Sequence, residues 1–236
     1  MKIAIVGDVH SSWDLLSKIE AELILLTGDA GFIFQECKEK EQGHLRIPKK
    51  YPEIGNLHEY RDGKKKFLTD VIMIAGNHDC YLCLEKFSIP GLTWLKSGEM
   101  INYAKAEEEK ITISGLGGCY SPKDYVKDWN QLSIHHKRHF TKAQLEKCLE
   151  HEADILLLHD GPQRLFAQYG LEHFGCEHLN ELIELQQPAF AFCGHYHRYA
   201  EGKIGRTKLY ALPRAEDGWF ELDSEQLEGK FQNIKN

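Results

Sequence analysis

One local pattern constrains this chain more than any other. Strand-length apolar runs are followed at once by short motifs of Gly, Asp, Asn and His. The runs are Ile3 to Val6, Leu23 to Leu26, Val71 to Ala75, Ile155 to Leu158 and Ala189 to Cys193, with a further run at Ile111 to Ile113. Each is apolar at consecutive positions, as expected of strands buried on both faces. Behind five of them stand Gly7-Asp8-Val9-His10, Gly28-Asp29, Gly76-Asn77-His78-Asp79, His159-Asp160-Gly161-Pro162 and Gly194-His195-Tyr196-His197. Open α/β sheets bind ligands at the carboxyl ends of their strands. Five segments far apart in sequence are therefore expected on one rim.

Helical patterns lie between the runs, at residues 13–20, 141–151 and 178–186. The second is the best marked: Thr141 and Gln144 have capping-box spacing, and Phe140 with Leu145 has hydrophobic-staple spacing. Alternating strands and helices predict an α/β fold. Glu201 to Tyr210 and Gly218 to Leu222 read as a tail of antiparallel strands, with glycines at the breaks. Residues 31–66 lack clear periodicity. A loop of that length inside a domain is usually functional, and a lid-like insertion is expected there.

The 236 residues suit one large α/β domain spanning 1–236. Hydrophobic residues make up 42%, enough for a substantial core. A net charge of −7 excludes a basic field over the whole molecule, so any nucleic-acid contact must be local. The apolar start is too short for a signal peptide, and no run approaches a membrane span. A soluble cytoplasmic protein without a membrane partner is expected. Of the seven Cys, Cys80 and Cys83 form the one Cys-x-x-Cys. Without a second pair they are expected to pack rather than bind zinc.

The motif residues suit metal ions of the Zn²⁺, Mn²⁺ or Fe²⁺ type, through imidazole, carboxylate and amide oxygen. Asp8 and His10, like His195 and His197, are two apart. In extended chain such residues point to the same side and can share an ion. Asp29 stands alone in its motif, and a carboxylate can bridge two cations. A lone His near a strand end is ordinarily just a satisfied polar residue, and Gly-Asp alone is an ordinary turn pair. Joint occurrence behind successive strands is what selects the metal reading.

The order Asp-x-His, Gly-Asp, Gly-Asn-His-Asp, His, Gly-His-x-His resembles the calcineurin-like metallophosphoesterases from residue 3 to about residue 200. The resemblance implies a four-layer α/β/β/α sandwich with a two-metal site at the strand ends. It implies a first metal held by Asp8, His10, Asp29 and His197, and a second held by Asp29, Asn77, His159 and His195. A metal-bound hydroxide would attack phosphorus, and His78, as a protonated imidazole, would touch the phosphate and help the leaving group. Asp79 or Asp160 would orient His78.

Within that superfamily the phosphoprotein phosphatases carry Arg residues after their Gly-Asp and Gly-Asn-His motifs. This chain has Ala30 and Cys80 near those places, which argues against that activity. Arg46 to Tyr51, Tyr60 to Lys65, Ile113 to Gly118 with Asp124-Tyr125, and His159 to Arg164 with Tyr169-Gly170 resemble the RNA lariat debranching enzymes. Those enzymes typically have Cys where this chain has Asp8, a longer 119–140 segment, and a long C-terminal extension. The resemblance implies a phosphodiesterase acting on a nucleic acid or nucleotide, with residues 119–140 as a substrate-recognition loop. Lys123, Tyr125 and Arg164 are candidate substrate contacts. Residues 46–66 hold seven Lys or Arg against three acids, a local basic excess. Tyr120, Tyr125 and Trp129 could stack on a base or simply pack. His135, His136 and His139 have no Cys or carboxylate at zinc-site spacing. The alternatives are a phosphomonoesterase acting on a small metabolite and a metal-binding scaffold without turnover.

Overall fold

The apolar runs become strands covered on both faces. A computed structural model of the chain describes residues 1–36, 54–106, 109–226 and 228–234. One six-stranded sheet contains β1 (Lys2–Val6), β2 (Leu23–Leu26), β3 (Asp70–Met73), β4 (Leu92–Trp94), β11 (Gly218–Asp223) and β12 (Glu228–Asn233), in the order β12-β11-β1-β2-β3-β4. The other contains β5 (Met100–Ala106), β6 (Glu109–Leu116), β7 (Ile155–Leu158), β8 (Phe190–Cys193), β9 (Ala200–Ile204) and β10 (Thr207–Ala211), in the order β5-β6-β7-β8-β10-β9.

Alternation along each strand assigns the two faces. Ile3, Ile5, Leu23 and Leu25 meet Ile155, Leu157, Phe190 and Phe192 in the layer between the sheets. Ala4, Val6, Ile24 and Leu26 face outward onto α1 (Leu57–Arg61), α2 (Tyr81–Lys86) and a 3₁₀ turn at Trp13–Lys18. On the far side, Leu156, Leu158, Ala191 and Cys193 face residues of α4 (Lys142–Cys148), α5 (Gln163–Ala167) and α6 (Glu177–Gln186). A further short helix, α3 (Pro122–Tyr125), lies in the 119–140 segment. The result is the α/β/β/α sandwich that the motif order implies.

Two sequence expectations shift at their edges. Residues 13–20 give a 3₁₀ turn rather than an α-helix, because Trp13 and Leu16 are drawn into the core over a very short connection. The helix expected at 141–151 ends at Cys148, though its capping box is present as read. The lid-like reading of 31–66 lies outside the described residues at 37–53. Of its flanks, Phe32, Ile33 and Phe34 are buried core residues and Leu57–Arg61 is helical. Among the described residues no helix is long and apolar enough to cross a membrane.

Candidate metal centre

Strand register places the motifs. β1, β2 and β3 run parallel, with Val6 beside Leu26 and Leu26 beside Met73, so the segments carrying Asp8, Asp29 and Asn77 leave one rim side by side. In the other sheet Leu158 stands beside Cys193, which puts His159 next to the His195 segment.

The chain turns unusually at this rim. His10, Asp29, His195 and His197 have φ of 44°, 48°, 68° and 52°. Non-glycine residues seldom occupy this left-handed region, at a cost of about 1–3 kcal/mol each. Two glycines let the segments close together. A Cβ on Gly28 would lie 2.6 Å from His159 Nδ1, and one on Gly76 would overlap the Asp29 carboxylate.

The side chains form two groups. His10 Nε2 lies 3.0 Å from His197 Nε2, which is 3.6 Å from Asp8 Oδ2. His159 Nε2 lies 3.0 Å from Asn77 Oδ1 and 3.4 Å from Asp29 Oδ1. The Thr27 carbonyl, 2.9 Å from His159 Nδ1, accepts its N–H and leaves the Nε2 lone pair facing the site. Single donor atoms of Asp8, Asp29 and His159 lie within 4.8 Å of one another. Among the described residues, buried Asp8 Oδ2 has no hydrogen-bond partner. A buried carboxylate oxygen left so is unfavourable, and a cation would satisfy it. The donor set therefore fits divalent metal ions.

Electrostatics agree with that fit. Burial, then repulsion from Asp29, pushes the Asp8 carboxyl well above its ordinary range. Burial also raises Asp29, against the pull of His78. Burial, with His197 and His78 nearby, lowers His10 to about 2. Burial lowers His159 and His195 as well. Neutral imidazoles beside carboxylates that are costly to ionise are groups on which a cation can replace protons.

His78 sits at the edge of the cage. Its backbone N–H donates to Asp29 Oδ1 at 2.7 Å, and its Nε2 is 3.9 Å from Asp29 Oδ2. Burial holds its pKa below the ordinary value, outweighing the opposing pull of Asp29, so the imidazole is not favoured in the protonated form that the motif resemblance implies. Asp79 turns inward instead: its carboxylate accepts from the N–H groups of Gly76 at 2.7 Å, Phe32 at 2.8 Å and Ala30 at 3.4 Å. Asp160 accepts from the Tyr196 hydroxyl and the Tyr120 N–H.

The candidate substrate contacts are dispersed. Arg164 pairs with Glu184 across α5 and α6. Lys123 is exposed. Tyr125 stacks on His178, with centroids 4.3 Å apart, and Tyr120 meets both rings edge-on. Trp129 packs on Tyr81 under Lys137. In the described part of the basic stretch, Lys65 pairs with Asp14 and Glu59, and Arg61 with Glu36 and Asp62.

Two features escaped the sequence reading. Asp124 is the carboxylate that the spacing of the histidine cluster did not reveal: its Oδ2 lies 2.6 Å from His136 Nδ1 and 2.7 Å from His139 Nδ1, and Lys127 reaches its Oδ1. The sequence separation of 12 and 15 residues hid the contact, because only the fold of this loop closes it. Cys119 is the other: its thiol lies 3.1 Å from Asn77 Oδ1. It follows β6 with two glycines between, and glycine likewise precedes the candidate ligand in four of the five motifs.

Comparison with known proteins gives the following matches. The family model of the calcineurin-like phosphoesterases matches residues 1–199. The lariat debranching enzyme of Schizosaccharomyces pombe is 26% identical over 233 residues, covering 84% of this chain and 48% of the relative. That of Gallus gallus is 26% identical, covering 91% and 46%, and that of Arabidopsis thaliana is 26% identical, covering 92% and 61%. The chain thus spans about half the length of the curated relatives it matches. Two solved structures share the fold. One, a protein of Thermus thermophilus, has a TM-score of 0.62 at 12% identity, covering 99% of this chain and 98% of that one. The phosphopantetheinyl hydrolase of Mycobacterium tuberculosis has a TM-score of 0.52 at 11% identity, covering 91% and 90%.

Proposed function

The chain belongs to the calcineurin-like phosphoesterases, hydrolases of phosphoester bonds, and on that premise we propose that it is a binuclear metal-dependent phosphodiesterase acting on RNA or a related nucleotide diester. One observation carries the metal part of this reading: Asp8, Asp29 and His159 converge while buried Asp8 Oδ2 has no hydrogen-bond partner among the described residues. The diester part is supported by similarity to lariat debranching enzymes along most of the chain.

In this reading Asp8, His10, Asp29 and His197 hold one divalent ion, and Asp29, Asn77, His159 and His195 hold the other. When bound, the two ions would supply nucleophile activation and charge stabilisation at phosphorus. The chain's own residues do the rest. Asp29 would contribute to both positions, and its contact with the His78 N–H holds the loop that carries the imidazole. His78 Nε2 would hold a proton for the departing oxygen. Asp79 keeps that loop in place by binding the Gly76 and Phe32 amides. Residues 1–236 form one cytoplasmic domain in this reading, and 119–140 face the substrate through Lys123 and Tyr125, with Arg164 nearby in sequence to His159.

The test is hydrolysis of bis-p-nitrophenyl phosphate and p-nitrophenyl phosphate by manganese-loaded protein, with Asp29→Asn as control. Diester preference lost in the variant is expected, and would be followed by branched against linear RNA. Preference for the monoester would replace this reading with a phosphomonoesterase, and metal retention without hydrolysis of either ester or of RNA would replace it with a scaffold.

A further inference from the structure

Asn77, His159 and His195 are accounted for by the motifs, yet a fourth side chain points at the same spot. The Cys119 thiol lies 3.1 Å from Asn77 Oδ1 and 3.5 and 3.7 Å from Nδ1 and Nε2 of His195. Its Sγ, one His159 nitrogen and one His195 nitrogen are all within 4.8 Å of one another. Cys80, Cys83, Cys148, Cys176 and Cys193 belong to the apolar clusters on the outer faces of the two sheets. Cys119 belongs to none of the three clusters. Its thiol instead meets Asn77 and the imidazoles of His159 and His195.

We propose that Cys119 is an additional protein ligand of the metal position framed by Asn77, His159 and His195, and that it makes this position selective for zinc-like ions over manganese and magnesium. The inference rests on the two-metal reading given above. The physical ground is ligand softness. Thiolate favours Zn²⁺, whereas carboxylate, carbonyl and water suit Mg²⁺ and Mn²⁺. The other position, with Asp8, His10, Asp29 and His197, offers only oxygen and nitrogen. The two positions therefore differ in preference. On coordination the S–H bond breaks, its proton passes to solvent, and a sulfur–metal bond forms, so metal uptake at this position releases a proton.

Cobalt(II) distinguishes the outcomes without any activity assay. The full chain is stripped of metal, titrated with Co²⁺, and followed by absorption and by elemental analysis. Bound cobalt gives visible d–d bands, and a sulfur ligand adds an intense near-ultraviolet charge-transfer band. The expected result is that band in the wild-type protein and its loss in Cys119→Ser and Cys119→Ala, both of which still retain cobalt. In zinc–manganese competition the variants are expected to lose about 10-fold or more of the zinc preference. Visible bands without charge transfer in the wild-type protein would overturn the Cys119 assignment alone, as would a band that persists in Cys119→Ser. Absence of the band in the wild-type protein decides against Cys119 whether or not a variant folds, and two variants of different size keep the positive outcome open to test. Failure to retain cobalt at all would overturn the two-metal reading together with this one.

Discussion

Asp29 and His78 are joined twice: the His78 amide donates to Asp29 Oδ1 at 2.7 Å, and its imidazole stands 3.9 Å from Oδ2. The residue proposed to bridge the metals thereby also positions the residue proposed to serve the leaving group. The two roles separate by substitution. His78→Ala is expected to lower turnover about 10²- to 10⁴-fold while retaining both metals. Asp29→Asn keeps an oxygen for the amide but is expected to lose metal affinity by roughly 100-fold. Metal analysis after dialysis, beside turnover, checks both. Loss of metal from His78→Ala would show that His78 shapes the cage instead.

Asp79 is expected to act on stability more than on chemistry. Its carboxylate gathers amides from three segments, at Ala30, Phe32 and Gly76. Asp79→Asn turns an amide donor toward those donors and is expected to cost about 2–3 kcal/mol. Urea denaturation of the metal-free protein measures it. An unchanged midpoint would show that these hydrogen bonds do not hold the three segments together.

Metal-free stability should depend on pH in opposite senses at the two kinds of ligand. His10 has its pKa lowered to about 2 by burial and its neighbours. Between that value and the ordinary one of about 6.5, only the unfolded imidazole takes up a proton, so this group removes stability as pH falls. Asp8 is raised instead, so its contribution declines as pH climbs above the ordinary value of about 3.9. In chelator, His10→Gln should flatten the acid limb of the melting curve and Asp8→Asn the neutral limb. Both variants sharing the wild-type profile would contradict these directions.

Asp124 should govern the 119–140 segment. Burial raises its carboxyl, but Lys127, His136 and His139 outweigh that and hold it below the usual range. A depressed carboxyl stabilises above its unfolded value of about 3.9 and loses that contribution as pH falls through the folded value. Asp124→Asn is expected to raise hydrogen exchange in this segment at neutral pH and to weaken its dependence on acid. Equal exchange in the two proteins would remove Asp124 as the anchor.

Much of the fold was legible in the sequence, and for definite reasons. Ile3 to Val6 and Ile155 to Leu158 were readable as two-sided strands because every position is apolar, and both layers they face are present. The helix at Lys142–Cys148 announced itself through Thr141 and Gln144. β4, at Leu92–Trp94, and β12, at Glu228–Asn233, carried no such signal, since edge strands need only one good neighbour. Asp8, Asp29 and His159 were legible because glycine, carboxylate and imidazole directly follow strands. Cys119 was not, because a cysteine after a strand is ordinarily packing, and only its neighbours across the sheet distinguish it. The Asp124 cluster depends on loop closure, which residue spacing does not encode.

The left-handed turns at His10, Asp29, His195 and His197 have a consequence for the order of events in folding. Four such conformations at once, at about 1–3 kcal/mol each, disfavour the cage in a chain without its sheets, so it is expected to form with the sheets rather than ahead of them. A cation would then arrive at a finished structure instead of nucleating one. It would slow unfolding far more than it speeds folding, and chelation should leave the refolding rate almost untouched.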